Sequence, residues 1–294
     1  MMNRSMKVSN VTLISMMALL GAAAAGCAAK NDGNDEGLLG TNESQLVEDD
    51  SEAADQDESM ESGVEEPLSG ADPADPGAPA EGADDADLLA KVKGNPGKWF
   101  KPAGCITTTL AANVATHVFA GCTGPYGLVS FNGTVTSTYV RAGGTLTITH
   151  EATGFKANGA AVGGKRVVVY SKNGTVITKH RTGEWTGTTK NGKPFTHDAD
   201  FTSTWDSATK CVTRDGSAQT TVASREHSRS ITGYKRCGIG SLGCPESGTI
   251  VLERTKGGNT ASVTVKFLGG RDYSVTGPKG GTVDRKLICN EGAS

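Results

Sequence analysis

Pairs of turn-forming residues recur along the chain from Lys91 onward and separate short runs that are rich in Val, Ile and Thr. Such pairs are typical of two-residue hairpin turns, because these turns need positive φ angles that glycine adopts freely. Seven pairs occur: Asn132-Gly133, Gly143-Gly144, Asn173-Gly174, Asn191-Gly192, Asp215-Gly216, Gly257-Gly258 and Gly280-Gly281. Their spacing predicts an all-β, antiparallel meander of about ten to fourteen short strands.

Alternation of apolar and polar residues gives some of these strands two distinct sides. In residues 146–150 the apolar side chains share one side with His150, and in residues 263–267 they lie opposite Thr264 and Lys266. An open sheet would leave long unpaired edges, so we expect the meander to form a closed barrel or a strongly rolled sheet. A two-sheet β-sandwich is the alternative.

The first 26 residues have the three parts of a bacterial secretion signal. Arg4 and Lys7 supply a positive region, and an apolar run in residues 11–25 leads to Cys27. The run is shorter than the roughly 20 residues that a membrane-spanning helix needs. The eight residues that end at Cys27 resemble the lipobox of bacterial lipoproteins, so we expect this cysteine to carry a lipid. Cleavage at the Ala-x-Ala site in residues 23–25 is the alternative.

The cysteine count agrees with a lipid at this position. Seven cysteines leave one without a disulfide partner in an oxidising compartment, and lipidation of Cys27 accounts for it. Cys105 and Cys122 lie symmetrically about Asn113, where a hairpin could turn, so we pair them. The other four cysteines allow three connectivities, of which we favour Cys211–Cys237 together with Cys244–Cys289. A local Cys237–Cys244 loop remains an alternative.

An acidic stretch separates the signal from the predicted sheet. Of the 32 Asp and Glu in the chain, 20 lie between residues 31 and 90, which hold no Lys or Arg, and no aromatic residue precedes Trp99. Such a segment cannot bury enough apolar surface to offset the entropy lost on ordering. We therefore expect a signal peptide at 1–26, a disordered acidic linker at 27–92 and the β domain at 93–294.

The predicted β domain has the opposite charge. From Lys91 onward, 26 Lys and Arg accompany the other 12 acidic residues, which gives a formal charge of +14. Such a domain would be attracted to anionic polymers outside the cytoplasm, including lipopolysaccharide and acidic polysaccharide, and the chain has no specific nucleic-acid-binding motif. The alternative is that the acidic linker folds back and screens its own domain.

Two motifs suggest ligands and have simpler explanations. Residues 238–243 match G-x-G-x-x-G, but they lie between two cysteines and lack the strand and helix of a dinucleotide site, so we expect a glycine loop and no cofactor. Asp198, Asp200 and Asp206 are weak candidates for a metal site, since hard cations favour carboxylate oxygens. Phe201 and Trp205 would lie on the opposite side of the same strand, so a solvated outer face is the favoured explanation.

Catalytic residues are not evident from the sequence. His117, His150, His180 and His227 lie far apart, next to no nucleophile motif. A secreted hydrolase whose His and Asp residues meet only in the folded protein is the rival hypothesis. We expect Trp99 and Phe100 to close one end of the barrel rather than to bind sugar rings.

The whole arrangement resembles a group of myxobacterial lipoproteins. The resemblance is carried by the lipobox, the acidic linker and two segments of the domain, residues 102–105 and 122–128. It implies an envelope protein tethered to the outer membrane or in the periplasm, and it brings no activity with it. We expect a structural or binding module.

Overall fold

The computed structural model of the chain describes residues 64–69, 85–124, 129–188, 192–222, 225–238, 244–287 and 289. The predicted signal peptide, Cys27 and the glycine loop at 239–243 lie outside these residues, as does most of the predicted linker. Within the described part of the chain, no helix is long and apolar enough to cross a membrane.

Thirteen described strands form one antiparallel sheet in which each strand pairs with its neighbours in sequence. They are β1 (Ile106–Ala111), β2 (Val114–Thr123), β3 (Ser130–Ala142), β4 (Thr145–Ala157), β5 (Ala160–Asn173), β6 (Val176–Thr188), β7 (Pro194–Asp206), β8 (Cys211–Val222), β9 (Arg225–Cys237), β10 (Pro245–Lys256), β11 (Asn259–Gly269), β12 (Asp272–Thr276) and β13 (Thr282–Lys286). Three short helices precede them: α1 (Glu66–Leu68), α2 (Asp85–Gly94) and α3 (Pro96–Trp99). The predicted antiparallel all-β meander is confirmed.

The sheet is open, which corrects the predicted closure into a barrel or a strong roll. Among the described strands, β1 pairs only with β2 and β13 only with β12, and the sheet is neither closed nor strongly curled. A single sheet also differs from the two-sheet sandwich. Short edges explain why closure is not needed: β1 has six residues, and β12 and β13 have five each. Short strands with charged residues, such as Asp284 and Lys286, protect a sheet edge from pairing with other chains.

Of the six turn pairs that lie wholly within the described residues, four join consecutive strands, whereas two lie inside strands. Asn132-Gly133 belongs to β3 and Asp215-Gly216 to β8, each at a shift in the strand register. Gly216 has a φ of 139°, and a Cβ atom there would collide with the carbonyl oxygen of Asp200. These two pairs therefore mark β-bulges, where glycine permits both the backbone angle and the close approach.

One side of the sheet is buried, and its apolar residues form three clusters. The first cluster lies at one end of β2–β7 and contains Trp99, Phe100, Phe119, Phe131, Phe155, Trp185 and Phe195. The second lies towards the other end of β2–β6 and contains Leu88, Val92, Tyr139, Leu146, Ile148, Val168, Tyr170 and Ile177. The third lies on β7–β11 and contains Phe201, Ile231, Ile250, Leu252, Val265 and Phe267. Trp99 and Phe100 are thus core residues, although they close no barrel.

The solvent side is dominated by Thr, Ser and Val. One row of paired residues crosses twelve strands, from β2 to β13: Val114, Thr138, Thr149, Val167, Thr182, Asp200, Ser217, Ser230, Val251, Thr264, Thr276 and Thr282. Thr and Val are strong strand formers because their branched side chains fit a pleated surface. The alternation seen in the sequence thus separates the two sides as predicted.

Three disulfides connect the described cysteines in the favoured pattern. They are Cys105–Cys122, Cys211–Cys237 and Cys244–Cys289. The first lies near the open end of the β1–β2 hairpin, and the second joins directly paired residues of β8 and β9. The local Cys237–Cys244 loop is therefore not formed. Disulfides of this kind are consistent with an exported protein.

Candidate functional site

A row of polar side chains crosses the buried side of the sheet between the first and second clusters. From β1 to β6 its members are Thr108, His117, Ser137, His150, Arg166 and Arg181. His150 is paired in register with both Ser137 and Arg166. All members except Thr108 are buried. Buried polar and charged side chains need hydrogen-bond or ion-pair partners, because removing them from water costs free energy.

An acidic residue from the predicted linker lies on this row. Glu65 is 1% exposed, and its Oε1 lies 2.5 Å from Nη1 of Arg166 and 4.0 Å from Nη1 of Arg181. Its Oε2 lies 3.6 Å from Nζ of Lys179. One carboxylate thus contacts three cations of β5 and β6. Residues 64–69, which we call the docked segment, therefore pack on the sheet.

Apolar contacts hold the docked segment on either side of Glu65. Val64 and Leu68 are completely buried in the first cluster. The Tyr139 hydroxyl, from the second cluster, donates a hydrogen bond to the carbonyl oxygen of Leu68. The segment therefore contacts both clusters and the polar row between them.

A glycine on the neighbouring strand β6 leaves room for the Arg166 side chain. Arg166 is paired with Gly183, and a Cβ atom on this glycine would stand 2.9 Å from Cγ of Arg166. The guanidinium lies over the ring of Trp185, 5.1 Å from its centroid. A glycine and an aromatic neighbour thus accommodate a buried cation and support it through a cation–π contact.

A second group of arginines surrounds one aromatic ring on the same side of the sheet. The guanidinium carbons of Arg181, Arg214 and Arg229 lie 5.1, 4.6 and 5.3 Å from the ring centroid of Phe201. We call these four residues the Phe201 cluster. Arg181 belongs both to this cluster and to the contacts of Glu65, so the two groups are continuous across β6.

Charge on the buried side is strongly biased. Four arginines are buried among the described residues: Arg166, Arg181, Arg229 and Arg254. Glu65 is the one buried carboxylate in the same part of the chain. Arginine is suited to this position, because its planar guanidinium binds carboxylate and phosphate groups with two parallel hydrogen bonds. Among the described residues, the buried side of the sheet therefore holds more buried arginines than buried carboxylates.

The two histidines of the polar row are neutral at physiological pH. Burial lowers the pKa of His117 to about 3, with a further contribution from His150. Burial also lowers the pKa of His150 to about 3, with contributions from Arg166 and Lys179. Each ring shares a hydrogen bond with a hydroxyl through Nδ1, at 3.0 Å to Thr108 in His117 and at 2.9 Å to Ser137 in His150. They add no positive charge to the row.

The His and Asp residues of the rival hydrolase hypothesis are divided between the two sides of the sheet. His117, His150 and His227 are buried, whereas His180 lies on the solvent side, where its Nε2 is 2.9 Å from Oδ1 of Asp200. His150 does contact a serine hydroxyl, but a histidine with a pKa of about 3 is a poor general base near neutral pH. The buried contact between His150 and Ser137 therefore lacks an effective base.

The three aspartates considered as metal ligands share the solvent side of β7 but are spread along it. Asp198 and Asp200 are exposed, and Asp206 lies at the far end of the strand. Its carboxylate accepts hydrogen bonds from the Ala208 amide and the Thr209 hydroxyl in the following turn. No three described His, Cys, Asp or Glu residues form a group that could hold a metal ion. Phe201 and Trp205 pack on the opposite side, as alternation predicts.

The buried arginines were not predicted, although the alternation along their strands carries a signal for them. Arg166 alternates in phase with the buried Val168 and Tyr170, and Arg229 alternates in phase with Ile231. Basic residues in the apolar phase of a strand indicate a buried cation and hence an anionic partner. Alternation could not identify Glu65 as that partner, because it is 101 residues from Arg166. No family model, curated protein or solved structure matches the chain.

Proposed function

We propose that this chain is an exported lipoprotein, anchored through Cys27, whose β domain binds anionic polymers of the cell envelope such as lipopolysaccharide or acidic polysaccharide. The observation that carries the proposal is the concentration of arginine on one side of the sheet. Four arginines are buried there against one buried carboxylate among the described residues. The formal charge of +14 from Lys91 onward would also attract polyanions.

The Phe201 cluster is the part of this side that we assign to the polymer. Three guanidinium groups around one ring are held in place before a ligand arrives, so little side-chain entropy is lost on binding. Each group can form paired hydrogen bonds to a carboxylate or phosphate. Arg214 is half-buried and is therefore the member that an external polymer reaches first.

The anchor is supported by the signal pattern, the lipobox resemblance and the cysteine count. All six other cysteines are paired in disulfides, which leaves Cys27 for the lipid. Ala28 after the lipid cysteine is compatible with sorting to the outer membrane. Mass spectrometry of the mature N-terminus should show a diacylated Cys27, and an unmodified N-terminus would contradict the anchor without contradicting export.

Binding should be measured on the unlipidated chain, with Cys27→Ser, against lipopolysaccharide, polygalacturonate and neutral dextran. We expect saturable binding to one of the anionic polymers at about physiological salt, weakening as salt screens the charges. Arg214→Gln should lower the affinity about tenfold or more, the typical effect of losing a charged hydrogen bond. Lys266→Gln, which removes an exposed charge from the solvent side, is the matched control.

Two results would overturn the proposal. The first is the absence of saturable binding to any of the anionic polymers at moderate salt. The second is an equal loss of affinity in Arg214→Gln and Lys266→Gln, which would indicate attraction to overall charge rather than to the Phe201 cluster.

A further inference from the structure

We infer that the cations Arg166, Lys179 and Arg181 form a recognition site for a short acidic peptide segment, and that the docked segment occupies it as a displaceable internal ligand. The sequence recognised is an apolar residue followed by glutamate, with leucine three positions after the glutamate. In this chain these residues are Val64, Glu65 and Leu68. The external polymer and the docked segment then compete for the same side of the sheet.

All three positions of the segment meet complementary surfaces on the sheet. Glu65 meets the three cations at distances from 2.5 to 4.0 Å. Val64 and Leu68 enter the first cluster, and the Tyr139 hydroxyl binds the Leu68 carbonyl oxygen. An acid flanked by two buried apolar residues is a specific pattern, so the contact differs from a general attraction between an acidic chain and a basic domain.

The docked segment is also placed to compete with a polyanion. Arg181 contacts both Glu65 and the ring of Phe201, so one guanidinium belongs to the peptide site and to the proposed polymer site. A polymer that draws Arg181 towards its own carboxylates weakens the hold on Glu65. By linkage, docking of Glu65 weakens polymer binding by the same factor. This competition rests on the proposed function, whereas docking of the segment does not.

The experiment uses the full chain with Cys27→Ser and a recognition sequence for a site-specific protease inserted between Pro76 and Gly77. The folded protein is cut at this sequence, which leaves the docked segment attached only through its non-covalent contacts, since all disulfides lie after residue 104. A fluorescent label on the N-terminal fragment then reports whether the two fragments stay together in size-exclusion chromatography.

We expect the fragments of the cut protein to co-elute at low salt and to exchange with an added labelled peptide of residues 60–70. Glu65→Gln in this peptide should weaken its binding about tenfold or more, and Leu68→Ala should weaken it as well. Glu61→Gln removes one charge from the same peptide and serves as the matched control. Because these variants are made in the peptide, the sheet itself remains unchanged and folded.

The outcomes separate docking from competition. Separation of the fragments at low salt, or equal effects of Glu65→Gln and Glu61→Gln, would overturn the peptide site, whatever the polymer result. Release of the labelled fragment by polygalacturonate but not by dextran would support competition. Polygalacturonate that binds without releasing the fragment would overturn competition and leave both sites standing. A polymer that does not bind at all would overturn the proposed function and leave the docked segment in place.

Discussion

Glu65 and Arg166 form a contact in which both charges are removed from water. Their side chains are 1% and 0% exposed. Both ions of a buried pair lose their hydration, and this desolvation free energy offsets part of the attraction between them. The pair is therefore better measured by the coupling between its members than by the effect of removing one of them.

A double-mutant cycle with Glu65→Gln and Arg166→Gln should give a coupling energy of about 2 kcal/mol, in the range for hydrogen bonds to charged groups. The free energy of unfolding in urea, measured for the four proteins, provides this value. The exposed pair of Lys286 and Asp272, whose atoms lie 3.0 Å apart, is the control and should give less than about 1 kcal/mol. Equal coupling in the two cycles would contradict the burial of Glu65.

Acid should destabilise the fold through the buried histidines. The pKa of His150 is about 3 in the folded protein, whereas an unfolded histidine titrates near about 6.5. Between these values the unfolded chain binds more protons, so stability is complete above about pH 6.5 and falls as the pH decreases towards about 3. Burial is the main cause of the lowered pKa of His150, and the nearby charges of Arg166 and Lys179 lower it further.

The expected slope is up to about 1.4 kcal/mol per pH unit for each such histidine. His150→Gln keeps the position neutral and removes one titrating group, so its free energy of unfolding should depend less on pH over this range. His180→Gln, on the solvent side, controls for loss of a histidine. Parallel pH profiles for the normal chain and His150→Gln in urea titrations would show that His150 is not buried in its neutral form.

Alternation in the sequence is enough to predict which side chains of a strand face the buried side. It cannot predict the contact between Arg166 and Glu65, which are far apart in the sequence. The pattern of residues 146–150 correctly places His150 on the buried side with Leu146 and Ile148. The same rule applied to Arg166 would have indicated a buried cation. No local rule connects it with Glu65, because the composition around Glu65 indicates an unstructured segment, and the contacts that hold it come from residues far away in the sequence.

At the scale of single strands, glycines paired with aromatic residues recur on the buried side. The pairs are Phe119 with Gly133, Trp185 with Gly164, Phe201 with Gly216, and Phe267 with Gly248. Each of the four glycines has a positive φ and lies beside a shift in the strand register. A glycine opposite a ring leaves room for it, and the bulge adds local twist to the strand.

Gly216→Ala tests this arrangement next to the Phe201 cluster. Alanine would hold an unfavourable φ of 139° and would place its Cβ against the Asp200 carbonyl oxygen. We expect a loss of about 1–3 kcal/mol in the free energy of unfolding, the usual cost of such backbone strain. Gly97→Ala is the matched control, since no atom lies within 4 Å of its Cβ position. Equal stability of the two variants would contradict the bulge.

The same glycines show why the turns could be predicted only in part. Asn173-Gly174 connects β5 and β6, as its flanking runs predict. Asn132-Gly133 has the same composition but lies within β3, because the β-rich sequence on either side of it pairs with one continuous partner strand. A positive φ is needed in both places, so the dipeptide alone cannot distinguish a turn from a bulge.

At the scale of the whole molecule, the sheet is built from contacts between consecutive strands. Every described strand pairs only with its neighbours in sequence, and the edge strands β1 and β13 have one neighbour each. Stability in such an array is close to a sum of neighbour terms, so the ends can open without the centre. Disulfides near both ends counter this tendency: Cys105–Cys122 holds β1 and β2, and Cys244–Cys289 encloses β10 to β13.

Replacing Cys244 and Cys289 with serine should therefore loosen one edge and leave the rest of the sheet intact. Without this link, β12 and β13 depend on pairs of only five residues, as the register of the β12–β13 ladder shows. We expect hydrogen exchange, followed by mass spectrometry, to become about tenfold faster or more in β12 and β13, as expected when at least about 1.4 kcal/mol of local stability is lost. Amides of β4 to β7 should exchange at an unchanged rate.

The matched control removes the disulfide at the opposite edge, with Cys105→Ser and Cys122→Ser. It should accelerate exchange in β1 and β2 and leave β12 and β13 unaffected, because no described strand pairing links the two edges directly. Uniform acceleration across all strands in either variant would mean that the sheet opens as one cooperative unit.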